Sequence, residues 1–169
     1  RLSDPSQKNA QFYARADNLN EWLSLVEKRL GSLSQRLSKA RPQIRVNTDL
    51  AGDRNAQQST VSDAEIIAQT PWTEIDDNFY EARGTSWALI HFLHAAELDF
   101  GPVLKDKNAI PTLRQVIREL EATQQGVSSP VILNGKGMGM FANHSLVMSS
   151  YIARANSAIA DLRSLLDDG

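Results

Sequence analysis

His91, His94 and Glu97 are spaced by three and are the first candidates for chemistry in this chain. Side chains three apart on a helix lie on one face and can meet. Two imidazoles and a carboxylate form a donor set for a divalent metal, and so for a metal-dependent enzyme. Metal sites in helical bundles usually draw ligands from several helices, and the di-iron type uses Glu-x-x-His pairs. No Glu-x-x-His occurs here, His94-x-x-Glu97 occurs once, and the remaining histidine, His144, opens the last expected helix. The plainer expectation is that His91 and His94 are partly buried and hydrogen-bonded to neighbours.

The second candidate is the run Gly135-Lys136-Gly137-Met138-Gly139-Met140. Glycines let a backbone turn its amides toward an anion, and a following helix start adds favourable partial charge. Gly135, Lys136, Gly137 and Gly139 would then bind a small anionic ligand. The run is not a Walker loop, because Gly135-Lys136 is followed by Gly137 rather than Ser or Thr, and no strand–loop–helix unit surrounds it. The plainer expectation is a tight connection, with Met138, Met140 and Phe141 tucked against the end of the helices. A third feature is basic: Lys28, Arg29, Arg36, Lys39, Arg41 and Arg45, with no acid between them. If the first two long helices run antiparallel, these residues meet Glu74, Asp76, Asp77 and Glu81 inside the molecule. No Gly-x-Ser-x-Gly elbow or His-Glu-x-x-His helix occurs.

Composition restricts the options further. With 169 residues, 41% hydrophobic and 22% charged, the chain fits one soluble helical domain. A net charge of -2 gives no general attraction to nucleic acid. The absence of cysteine excludes disulfides and thiolate chemistry. No cofactor is implied. The start at Arg1 leads us to expect a processed product or a piece of a longer protein.

The elements that must position these residues are written in three matched stripes with steps of four and three. They are Phe12, Ala16, Leu19, Leu23, Val26, Leu30, Leu33, Leu37; then Ile75, Phe79, Ala82, Ser86, Leu89, Leu93, Ala96, Phe100; then Phe141, Ser145, Met148, Ile152, Ala155, Ile159, Leu162, Leu166. A mean step of 3.5 suits helices packed side by side. Helices are expected over about 9–41, 71–100, 110–125 and 143–167. The third has Leu113, Val116, Ile117 and Leu120 inside. Pro42 and Gly101-Pro102 act as stops. The capping-box run Ser62-Asp63-Ala64-Glu65 predicts a short helix to about Gln69. Residues 43–61 read as a long loop, and no strand pair is expected. The fold class is therefore all-α: a mostly antiparallel four-helix bundle with a short extra helix before the second long one. On that second helix a further stripe, Tyr80, Gly84, Trp87, His91, His94, Leu98, widens the apolar arc and predicts packing on two sides.

The blocks 71–88, from Pro71-Trp72-Thr73 through Phe79-Tyr80 to Trp87-Ala88, and 134–145, from Asn134-Gly135-Lys136 to His144-Ser145, resemble an uncharacterised bacterial family, a conserved domain of unknown function. That resemblance implies a membrane-spanning segment near the N-terminus of the whole protein, with the rest outside the cytoplasm. The chain would be the soluble part of an inner-membrane-anchored protein, on the periplasmic side of the cell envelope. The favoured function is a non-enzymatic interaction or scaffold module whose partner is another envelope protein or a second copy. No contact with nucleic acid is expected, and the membrane is met only through the anchor. Anion binding at Gly135–Gly139 and metal-dependent catalysis at His91, His94 and Glu97 are the alternatives.

Overall fold

A computed structural model describes residues 14–46, 65–136 and 140–167. Helices dominate: α1 (Ala16–Ser38), α2 (Ile75–Asp99), α3 (Gly101–Asp106), α4 (Ile110–Ala122) and α5 (His144–Asp167). A two-stranded antiparallel sheet joins β1 (Gln43–Val46) to β2 (Glu65–Ala68), with Gln43 opposite Ala68 and Val46 opposite Glu65. No helix among the described residues is long and apolar enough to cross a membrane.

The stripes define the core. In α1, Leu19, Leu23, Val26, Leu30, Leu33 and Leu37 are all buried. They pack with Phe79, Ile90 and Leu93 of α2, Leu113, Val116, Ile117 and Leu120 of α4, and Met148, Ile152, Ile159 and Leu162 of α5. Polar bonds fix how the helices lie. Asn20 donates to Asp167 at one end of the α1–α5 seam. At the other end the Ser34 and Ser149 hydroxyls lie 3.1 Å apart, so α1 and α5 run antiparallel. Arg163 donates to Asn20 at 2.7 Å and also pairs with Glu27. Glu97 of α2 reaches Arg114 near the start of α4, and Arg83 reaches Gln124 and Gln125 just past its end. These two helices are therefore antiparallel as well. Glu119 of α4 pairs with Arg154 of α5 at 2.8 Å.

Four expectations need correction. Residues 65–68 form a strand, not the short helix predicted from Ser62-Asp63-Ala64-Glu65; Ser62 to Ala64 lie outside the described residues. Ile66 and Ile67 are β-branched and pair in register with Ile44 and Arg45, and that pairing outweighs the capping pattern. Only a 3-10 turn, Trp72–Glu74, precedes α2. Gly101-Pro102 does not end helical structure. It opens α3, because proline at a first turn removes an amide that has no helical partner anyway. Asn108, at φ 51°, then closes that turn in the left-handed region, and the Ala109 amide donates to Leu104 at 2.8 Å. Finally, Met140 and Phe141 are exposed, 96% and 67%, instead of tucked in; Met138 lies outside the described residues. Helix α5 starts only at His144, so Phe141 precedes the helix whose stripe it was counted in.

Candidate functional site

The second stripe of α2 faces solvent. Tyr80, Gly84, Trp87, His91, His94 and Leu98 are all exposed, so the expected packing on two sides does not occur among the described residues. Helix α2 meets α1, α4 and α5 with its other side, where Phe79, Ala82, Ser86, Ile90, Leu93 and Ala96 are buried. Both stripes advance by 3.5 residues, so each stays on its own face along the helix, and the outer one ends up turned from the core.

Every charged side chain between Tyr80 and Leu98 is drawn off this outer face. There are three: Glu81, Arg83 and Glu97. Glu81 pairs with Arg29 and Arg36 of α1, each at 2.7 Å. Arg83 donates to the Gln124 and Gln125 carbonyls at 2.8 and 2.9 Å, where cations favour a helix C-terminus. Glu97 pairs with Arg114 at 2.7 Å. What remains outward is Tyr80, Gly84, Trp87, His91, Phe92, His94, Ala95 and Leu98, with no formal charge among them while the histidines are neutral. Surface helix faces are normally rich in charge.

The proposed metal donors do not converge. His91 stands edge-on to Trp87 with ring centroids 4.6 Å apart. His94 Nδ1 is 4.0 Å from a Glu97 oxygen, and the other Glu97 oxygen is held by Arg114. No group of three or more His, Asp or Glu side chains that could hold a metal occurs among the described residues. Both histidines are exposed, which corrects the expectation that they are partly buried.

The glycine run is organised around its own backbone. The Gly135 amide donates to Ala142 at 2.9 Å, and Asn134 bridges Asn143. Asn143 does two things: its Nδ2 donates to the Gly135 carbonyl at 2.9 Å, and its Oδ1 accepts the Leu146 amide at 2.8 Å, capping α5. The His144 amide donates to the Leu133 carbonyl, and the Leu133 amide donates back to His144 Nδ1 at 3.0 Å. The Gly135 amide is thus committed inside the loop, and Lys136 is exposed. Gly137 and Gly139 lie outside the described residues. Sequence reasoning missed Asn143 and His144 as the clamp, although asparagine ahead of an apolar helix is a recognisable cap signal.

A cavity of about 390 Å³ lies beside this clamp, lined by Phe79, Thr123, Val127, Leu133, Met148 and Tyr151 among others. His144 also lines it. With Nδ1 accepting from Leu133, the neutral ring carries its proton on Nε2.

An uncharacterized protein family conserved in bacteria, DUF2333, has a family model that matches residues 1–169. The chain belongs to the DUF2333 family. No curated protein and no solved structure matches it. What is shown for DUF2333 here is a helical module of unknown function.

The basic run of this DUF2333 chain is used much as expected. Arg29 and Arg36 meet Glu81, although Glu74, Asp76 and Asp77 make no ion pair with them. The Arg36 hydrogen bond, reinforced by the charges of Arg36 and Arg29, holds the Glu81 carboxyl below its ordinary range. Its stabilising contribution is therefore present above the ordinary carboxylate range and is lost as pH falls through the lowered value. Both partners are about a third exposed, so the effect is small, within ~0.2–1 kcal/mol. In urea titrations at low salt, Glu81→Gln is expected to lose less stability between pH 7 and pH 3 than the parent. An identical pH slope would count against the pair.

Proposed function

We propose that this chain is a non-enzymatic helical interaction module of the bacterial cell envelope, and that the outer face of α2 is its contact surface. On this reading α1, α2, α4 and α5 are the staves of a mostly antiparallel four-helix bundle, a rigid support for that face. The partner is another envelope protein or a second copy of the chain. The membrane is met through an N-terminal anchor of the whole protein, with this part on the periplasmic side. The resemblance of 71–88 and 134–145 to a family with such a segment supports the location.

One observation carries the contact surface: Glu81, Arg83 and Glu97 are all paired away from a face that keeps Trp87 and Leu98 58% and 82% exposed. Depletion of charge with enrichment of aromatic residues is the compositional mark of an interface centre. A photo-crosslinking residue at His91 of the full-length protein in cells is expected to form a protein adduct, and one at the exposed Asp161 of α5 is not. Trp87→Ser together with Leu98→Ser should abolish the adduct while moving stability by less than ~0.5 kcal/mol per site. No adduct at His91, or equal adducts at both positions, would sink the reading.

A further inference from the structure

Resting on that reading, we infer that the outer face of α2 binds the same face of a second copy, antiparallel, about a two-fold axis that crosses that face at the axial level of position 89. The 4-3-4-3-4 stripe reads the same in both directions. In an antiparallel pair, Tyr80 lies opposite Leu98 of the second copy, Gly84 opposite His94, and Trp87 opposite His91; each pair is centred on position 89. An isologous contact requires this reciprocity, in which residue i meets j and j meets i. One of the three pairs, Gly84 with His94, sets a small residue against a large one, so that the imidazole can enter the gap.

Gly84 is the clearest sign of a partner. It sits in the middle of α2, and a Cβ there would meet nothing within 4 Å. Glycine in a helix interior costs about 1 kcal/mol relative to alanine. Nothing among the described residues requires that cost, whereas a facing helix carrying His94 needs the space. The area also fits. The exposed parts of Tyr80, Trp87, Phe92 and Leu98 (55%, 58%, 62% and 82%) leave on the order of 500 Å² in water. The two histidines and Ala95 bring the face toward the roughly 800 Å² per partner of a standard interface. Charged flanking positions usually select one partner over others. This face has no charge between its ends, so a self-complementary pattern is what remains to specify a partner. Asp76, Asp77 and Asp99 at those ends are exposed and disfavour an anionic lipid surface.

The chain contains no cysteine, so engineered ones report contacts directly. Gly84→Cys protein and His94→Cys protein are oxidised separately and as a mixture. In the antiparallel pair, position 84 of one copy lies about 15 Å along the axis from position 84 of the other, beyond the ~7 Å that a disulfide spans. The expected result is a disulfide-linked dimer in the mixture and none in either protein alone. In sedimentation, Gly84→Leu should stay folded and dimerise at least ~tenfold more weakly. Cross-linking of Gly84→Cys alone would overturn the antiparallel pairing. A purely monomeric parent, or one recovered as monomer on phosphatidylglycerol vesicles, would overturn self-association. A His91 adduct to a different protein would then leave the interaction reading standing, and no adduct of any kind would remove both.

Discussion

Leu30→Ala is expected to destabilise the chain by about 2–5 kcal/mol, whereas Leu25→Ala should cost less than ~0.5 kcal/mol. The two leucines are five apart on one helix and identical in chemistry. Leu30 is completely buried and belongs to the continuous core; Leu25 is 60% exposed. Removing three carbons from Leu30 loses their transfer energy and leaves a cavity between α1 and its neighbours. Truncating Leu25 removes atoms that water already touches. Urea unfolding of both variants separates the cases, and equal losses would mean that the α1 stripe does not face the core.

Gly135→Ala is expected to cost about 1–3 kcal/mol, by steric overlap and by breaking part-buried hydrogen bonds. A Cβ at this position would stand 2.1 Å from the Phe141 carbonyl oxygen and 2.7 Å from its carbon. Those are backbone atoms and cannot turn aside. The strand of loop through Gly135 must then move, losing its bond to Ala142 and the one from Asn143. Because Asn143 also caps α5, the disturbance reaches the helix start. Faster amide exchange at Gly135 and Leu146, together with a lower unfolding midpoint, would report it. An unchanged midpoint and unchanged exchange would show that the close approach is not maintained in solution. Glycine at position 135 serves a close contact of two backbone segments.

Much of this fold was legible because helix packing is periodic. Burial repeats every 3.6 residues, so a stripe such as Leu19 to Leu37 identifies both a helix and its inner face. The inner faces of α4 and of α5 from Ser145 onward follow the same rule and are buried as expected. The β1–β2 pair escaped because each strand is four residues long, and its stability comes from a partner about twenty residues away. Only the β-branched Ile66 and Ile67 set Glu65-Ile66-Ile67-Ala68 apart locally from a first turn of helix, too short a signal to outweigh the capping pattern.

The candidate site divides in the same way. Composition and spacing singled out the second stripe of α2 and the run from Gly135, and both are where the structure departs from plain core packing. Their meaning was decided elsewhere in the chain. The stripe positions carry no acid and no Lys or Arg in the sequence, and the flanking Glu81 and Glu97 are held aside by Arg29, Arg36 and Arg114. Arg83, also flanking the stripe, is tied to the carbonyls just past the end of α4. Glu97 is tied to Arg114 by the same kind of ion pair. By itself the sequence determined the long helices and which face of each packs into the core, since those depend on neighbours within a few turns. Only the tertiary structure decided which apolar face is covered and which charges are paired, since burial and Coulomb energy depend on distance in space rather than along the chain.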